Sequence, residues 1–128
     1  MNIAMIAQCK EFGQALGWEP VWEPETIARA DRVVLVLPDY YTRGCWEMKK
    51  WLEHHGDVLR GKPCGIVVYC ACGCGGDLAT RSILSQLLPL ECPISLCAIA
   101  GEDGLLRIGG TGRAITPSQY RQAMQSDR

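Results

Sequence analysis

The chain has 128 residues, 48% of them hydrophobic and 21% charged, enough for one buried core and too few for two, so one domain spanning residues 1–128 is expected. With 13 Lys and Arg against 14 Asp and Glu and a pI near 6.1, it carries no basic footprint for nucleic acid or an anionic membrane. The opening MNIAMIAQCKEFGQ has no basic segment followed by a long apolar one, and no apolar run approaches the roughly 18 residues of a span. A cytoplasmic protein acting on a small molecule or a protein partner is the expectation.

In chain order, Met5, Cys9, Phe12 and Leu16 recur at helical spacing and Gly17 follows as a C-cap, which predicts a first helix over residues 3–16. Short apolar runs are ambiguous, so Asn2 to Ala7 also reads as a strand before a very short helix; the helix is the reading adopted. Glu19 to Glu23 reads as a short strand ended by Pro24, and Glu25 to Ala30 as one helical turn. Val33 to Leu37 is continuously apolar, as in a parallel strand buried on both faces. A helix over about 46–55 follows, with Met48, Trp51, Leu52 and His55 on one face.

Cys64 to Tyr69 is a second β-branched apolar strand. Asp77 is placed to cap a helix from Leu78 to Leu88, with Ile83, Leu84, Leu87 and Leu88 on its core face, and Pro93 introduces a third buried strand, Ile94 to Ala100. Residues 101–115 are Gly-rich and read as loop or an irregular edge ribbon. Thr116-Pro-Ser-Gln119 has the form of a capping box with proline at the first helical position, opening a last helix to about Gln125. The alternation predicts an α/β fold, an open doubly wound, mainly parallel sheet, in which ligands lie beyond the carboxyl ends of the strands. The loops Pro38 to Cys45 and Cys70 to Gly76 follow consecutive buried strands and so open on that edge.

The segment ADRVVLVLPDYYTRGCWEMKKWLEHHGDVLRGKPCGIVVYCACGCGG resembles the flavodoxin-like NAD(P)H-dependent FMN reductase family. Ala30-Asp31, Pro38-Asp39-Tyr40, Met48-Lys49 and Gly61-Lys62-Pro63 fall, without a gap, on that family's A-D, P-E-Y, Leu-Lys and G-K-P positions. The resemblance implies a three-layer flavodoxin-like sandwich and an FMN ring held by Pro38, Asp39, Tyr40, Tyr41 and Cys45 from one loop and Cys72, Gly73, Gly75 and Gly76 from the other. It further implies NAD(P)H as co-substrate and electron transfer to a small acceptor, a quinone, free flavin or metal oxyanion. No catalytic side chain is singled out, because the flavin carries the redox chemistry. Tyr41 and Cys45 depart from the asparagine and proline common at those positions.

A larger departure lies at the start. With residues 3–16 read as helix, the family's first strand and the Gly/Ser/Thr-rich turn that grips the FMN phosphate are missing. The Val33 to Leu37 strand would then show a bare edge, an aggregation template unless covered. Three resolutions stand open: a partner or second copy pairs there, Val21-Trp22 moves inward, or Asn2 to Ala7 is itself the first strand. Hence the alternative function, a non-catalytic flavodoxin-like module for binding or assembly that has lost phosphate binding.

Eight cysteines are read as reduced thiols, with Cys9, Cys64, Cys92 and Cys97 as small buried hydrophobes. In Cys70-Ala-Cys72-Gly-Cys74-Gly-Gly the residues are small enough for a tight approach to a flat ligand. Three thiolates with Cys45 can also bind a soft ion, and a redox role beside a flavin is the third reading, but the spacing is not that of a zinc knuckle and no metal is assigned. His54 and His55 read as a solvated and a half-buried helix-end pair. Lys49 and Lys50 read as a solvated helix face, and Arg43 with Lys49 can attract a dinucleotide phosphate. Gly109-Gly-Thr-Gly112 lacks the strand-before, helix-after context of a nucleotide loop and is a turn cluster.

Overall fold

The structure is a computed structural model that describes residues 2–39, 46–70, 77–109 and 111–126. Among these residues six strands form one sheet in the order β1-β2-β3-β4-β5-β6: β1 Ile3–Ala7, β2 Arg32–Pro38, β3 Cys64–Tyr69, β4 Ile94–Ala100, β5 Leu106–Ile108 and β6 Ala114–Ile115. The first four are parallel, and the last two add antiparallel. Among the described residues five α-helices connect or flank them: α1 Lys10–Ala15, α2 Pro24–Ala28, α3 Trp46–His55, α4 Asp77–Leu87 and α5 Pro117–Gln125.

The expected first helix over 3–16 is overturned. Ile3 to Ala7 is a strand in register with Arg32 to Val36, so strand one is present and the bare edge on Val33 to Leu37 does not exist. The argument for a partner or second copy at that edge falls with it. The misleading helical stripe has a tertiary origin. Met5 faces the core layer that also receives Phe12 and Leu16 from and just beyond α1, so the three side chains do meet, across a strand–helix junction. Ala4 and Ile6 face the other layer, and a strand apolar on both faces shows no alternation. Gly17 follows the helix with φ +92°, the left-handed conformation expected of it.

Across β1 from β2, the segment after α1 returns to the sheet at one point: Pro20 bridges Met5 in parallel, and the Val21 N–H donates to the Met5 carbonyl at 2.9 Å. The Glu19 to Glu23 strand is thus a single bridge, because Pro20 and Pro24 bracket it and proline cannot donate to a ladder. The chain then crosses through α2 to β2 on the other side of β1. α1 and α5 cover one face, where Phe12, Leu16, Tyr120 and Met124 pack on Met5, Val34, Val36 and Val67. α2, α3 and α4 cover the other, where Ile27, Met48, Leu52, Ile83 and Leu87 pack on Ile6, Leu35 and Ile66. This is a doubly wound three-layer α/β sandwich.

Most other elements sit where the sequence places them. α4 ends one residue earlier than expected and passes into a 3₁₀ turn, so Leu88 is exposed at 71% and Leu84 only half-buried; Ala79, Ile83 and Leu87 face the core. The side chain of Asp77 lies outside the described residues. The Gly-rich ribbon contains the two short strands β5 and β6. α5 opens with the full capping box: the Gln119 N–H donates to Thr116 Oγ1 at 3.1 Å, and the Thr116 N–H to Gln119 Oε1 at 2.9 Å. Among the described residues, no helix is long and apolar enough to cross a membrane.

Candidate functional site

The sheet's carboxyl edge is built from the residues just past each parallel strand. Backbone hydrogen bonds prolong the ladder there. Gln8 N–H donates to Val36 O, Asp39 N–H to Tyr69 O and Cys70 N–H to Ala100 O, each at 2.8 Å. Pro38 is buried and in register with Tyr69, Asp39 is half-buried and Cys70 is buried. The two loops singled out in the sequence therefore leave adjacent, directly bonded strand ends on one rim. They do so beside β1, where the chain order reverses between the Pro20 side and the β2 side. In an open α/β sheet that reversal leaves a crevice, because the flanking helices diverge to opposite faces.

Of the expected ring-binding residues, Pro38 and Asp39 are described and take these rim positions. Tyr40, Tyr41, Cys45, Cys72, Gly73, Gly75 and Gly76 lie outside the described residues, as does Cys74. Cys70, the first cysteine of the loop, is buried. Among the described residues no three His, Cys, Asp or Glu side chains converge as a metal site. Tyr69 projects toward the α1 face, where its ring lies 5.8 Å from that of Phe12.

The phosphate end is fully described in backbone, and it is short. Two residues, Gln8 and Cys9, join β1 to α1. Neither has a hydroxyl or a glycine's freedom to turn its amide inward, Cys9 makes no side-chain cap, and α1 is only six residues long. The helix also sits hard on its strand: a Cβ added at Gly13 would come within 2.9 Å of the Ala7 Cβ. The Gln8 amide oxygen is already committed, accepting from the Met48 N–H in the first turn of α3 at 3.1 Å. A helix's first amides lack intrahelical acceptors, and Gln8 supplies one from a neighbouring strand end. These residues do not fit a phosphate dianion, for which a ring of free amides or hydroxyls is needed. What the sequence did not reveal at Gln8 is its bond to α3, since the partner is 40 positions away.

The expected buried cysteines divide. Cys64 and Cys92 are buried, and Cys9 and Cys97 half-buried. The Cys92 thiol donates to Leu59 O at 3.2 Å. Burial pushes the Cys64 thiol far above its ordinary value, and the Cys92 thiol beside it adds to this; burial raises Cys92 and Cys97 as well. Thiols held protonated in this way are poor nucleophiles and metal ligands. His55, expected half-buried, is exposed along with His54, although its ring lies 5.6 Å from Trp51.

No protein-family model matches the chain, and no curated protein matches its sequence. Its architecture does match a solved structure, an NADPH-quinone reductase from P. pentosaceus, with a TM-score of 0.58 over 80% of this chain and 86% of that one, at 16% identity. The fold is flavodoxin-like. At that level of identity the likeness is one of fold.

Proposed function

We propose that the protein is an NAD(P)H-dependent oxidoreductase of the flavin type, which passes electrons to a small-molecule acceptor from a ring bound at the carboxyl rim. The observation that carries this reading is the hydrogen-bonded pair of strand ends, Asp39 N–H to Tyr69 O, which opens the Pro38 and Cys70 loops side by side at the switch point. The reductase named among its structural matches supports the same reading. The protein's part is to present the rim and exclude water beneath it, with buried Pro38 and Cys70 as its floor. The Gln8–Cys9 turn gives FMN's phosphate no seat, so a flavin here is held by its ring end.

One observation favours a second reading, a non-catalytic flavodoxin-like module: the same two-residue turn, with Gln8 spent on α3. Titration with FMN and with riboflavin, read by flavin absorption and fluorescence, separates the two. The reductase reading expects both flavins to bind with similar affinity, followed by NADPH oxidation when a quinone is added. Failure of either flavin to bind at saturating solubility would leave the module. FMN binding a hundredfold more tightly than riboflavin would refute the ring-only seat.

A further inference from the structure

A second concavity lies along the outer face of α3, facing the segment that bridges β1. It is an open surface cleft of about 410 Å³ lined by Trp22, Trp46, Glu47, Lys50, Trp51, His54 and His55. That volume is in the range of small-molecule clefts. Its spacing on the helix is regular: Trp46, Lys50 and His54 stand at i, i+4 and i+8, and Trp51 and His55 form a parallel row.

One of its indoles is fixed. The Trp51 indole N–H donates to the Trp22 carbonyl at 2.9 Å, which joins α3 to the bridging segment and leaves Trp51 no donor for a ligand. Trp46 is the reverse case. It is 60% exposed, unusual for so large an apolar ring, and its partner is a cation, the Lys50 ammonium, 5.0 Å from the ring centre. Lys50 makes no ion pair among the described residues, where the salt bridges are Arg60–Asp57 and Arg107–Asp103. An exposed electron-rich indole beside an ammonium that makes no ion pair among the described residues, opening on a cleft with the fixed Trp51 indole, is complementary to a flat ring carrying negative charge. The ring quadrupole of indole favours an electron-poor partner face, and the ammonium favours a carboxylate.

We propose that this cleft is a binding site for a planar, electron-poor aromatic carboxylate, stacked on Trp46 and paired with Lys50. The residues that would hold this ligand belong to α3 and the Trp22 segment, and the reductase reading is not needed for them to do so.

Isothermal titration of the full chain, free of flavin and nicotinamide, tests it with 3,5-dinitrobenzoate as probe. Cyclohexanecarboxylate serves as a charge-matched ligand without a π system. The dinitrobenzoate is expected to bind and the cyclohexane acid to bind at least tenfold more weakly. Trp46→Ala should weaken the probe about tenfold, and Lys50→Gln about threefold at low ionic strength. Trp18→Phe, at a ring under Arg121 and outside the cleft, should change nothing. Because Trp46 and Lys50 are exposed, both variants should melt with the parent, which a thermal scan verifies. Equal binding of the two acids, unchanged affinity in Trp46→Ala, or no heat with the probe would each overturn the proposal.

Discussion

Gly65→Ala is the sharpest test of how the α1/α5 layer is packed. Gly65 lies on β3 opposite Val34, and a Cβ added there would collide with the Tyr120 hydroxyl and come within 3.0 Å of Met124 Sδ. Tyr120 is fully buried, and its hydroxyl donates to Leu96 O at 3.1 Å. Making room means moving the phenol off that carbonyl. Overpacking costs about 1–3 kcal/mol and an orphaned buried hydrogen-bonding group another ~1–3 kcal/mol. Replacing a mid-strand glycine returns roughly 0.5–1 kcal/mol. A net destabilisation of about 3 kcal/mol follows. For 128 residues the unfolding entropy is about 0.27 kcal/mol per K, so Tm should fall by about 11 °C. The assay is urea and thermal unfolding of the parent, Gly65→Ala, Tyr120→Phe and the double variant. Removing the hydroxyl frees the space the new methyl needs, so the double variant should be more stable than the sum of the singles predicts, by at least ~1 kcal/mol. A Gly65→Ala protein within about 0.5 kcal/mol of the parent, or strictly additive variants, would refute this account of the layer.

Gln8→Met keeps length and removes the acceptor for the Met48 N–H. It should cost about 1–2 kcal/mol and speed hydrogen exchange at the Met48 amide, while unchanged exchange there would show that Gln8 does not cap α3. Thr116→Ala should cost about 1 kcal/mol through loss of the capping box, visible as a lower urea midpoint with an unchanged slope. For pH, Cys64 and Tyr120 both have folded-state values raised by burial, so their contribution is whole below the unfolded values and is lost as pH rises past them. Stability should therefore decline above about pH 8.5, by roughly 1 kcal/mol at pH 9.5 from Cys64 alone. Cys64→Ala should flatten that decline, and a parent curve level from pH 7.5 to 9.5 would contradict the burial argument.

The carboxyl rim was readable because its signals are local. Apolar runs at Val33 to Leu37 and Cys64 to Tyr69 mark doubly buried strands, and Pro38-Asp39 and the small residues after Cys70 mark where they end. Thr116 to Gln119 likewise carries its helix start in four consecutive residues. Gly17 announced its own positive φ. In each case the physics acts within a few positions of the chain.

What the residues alone left open was decided by contacts between distant segments. Ile3 to Ala7 is a strand because β2 offers it a parallel ladder and two core layers take its two faces, and no alternation can record burial on both sides. Gln8 became a helix cap, and Trp22, Trp46 and Trp51 the walls of a cleft, only when β1 and α3 were brought together. Sequence determined which segments are apolar, where they stop and which edge carries the loops. Tertiary structure decided the identity of the first element and the company kept by each polar group, because pairing energy in a sheet belongs to two strands at once.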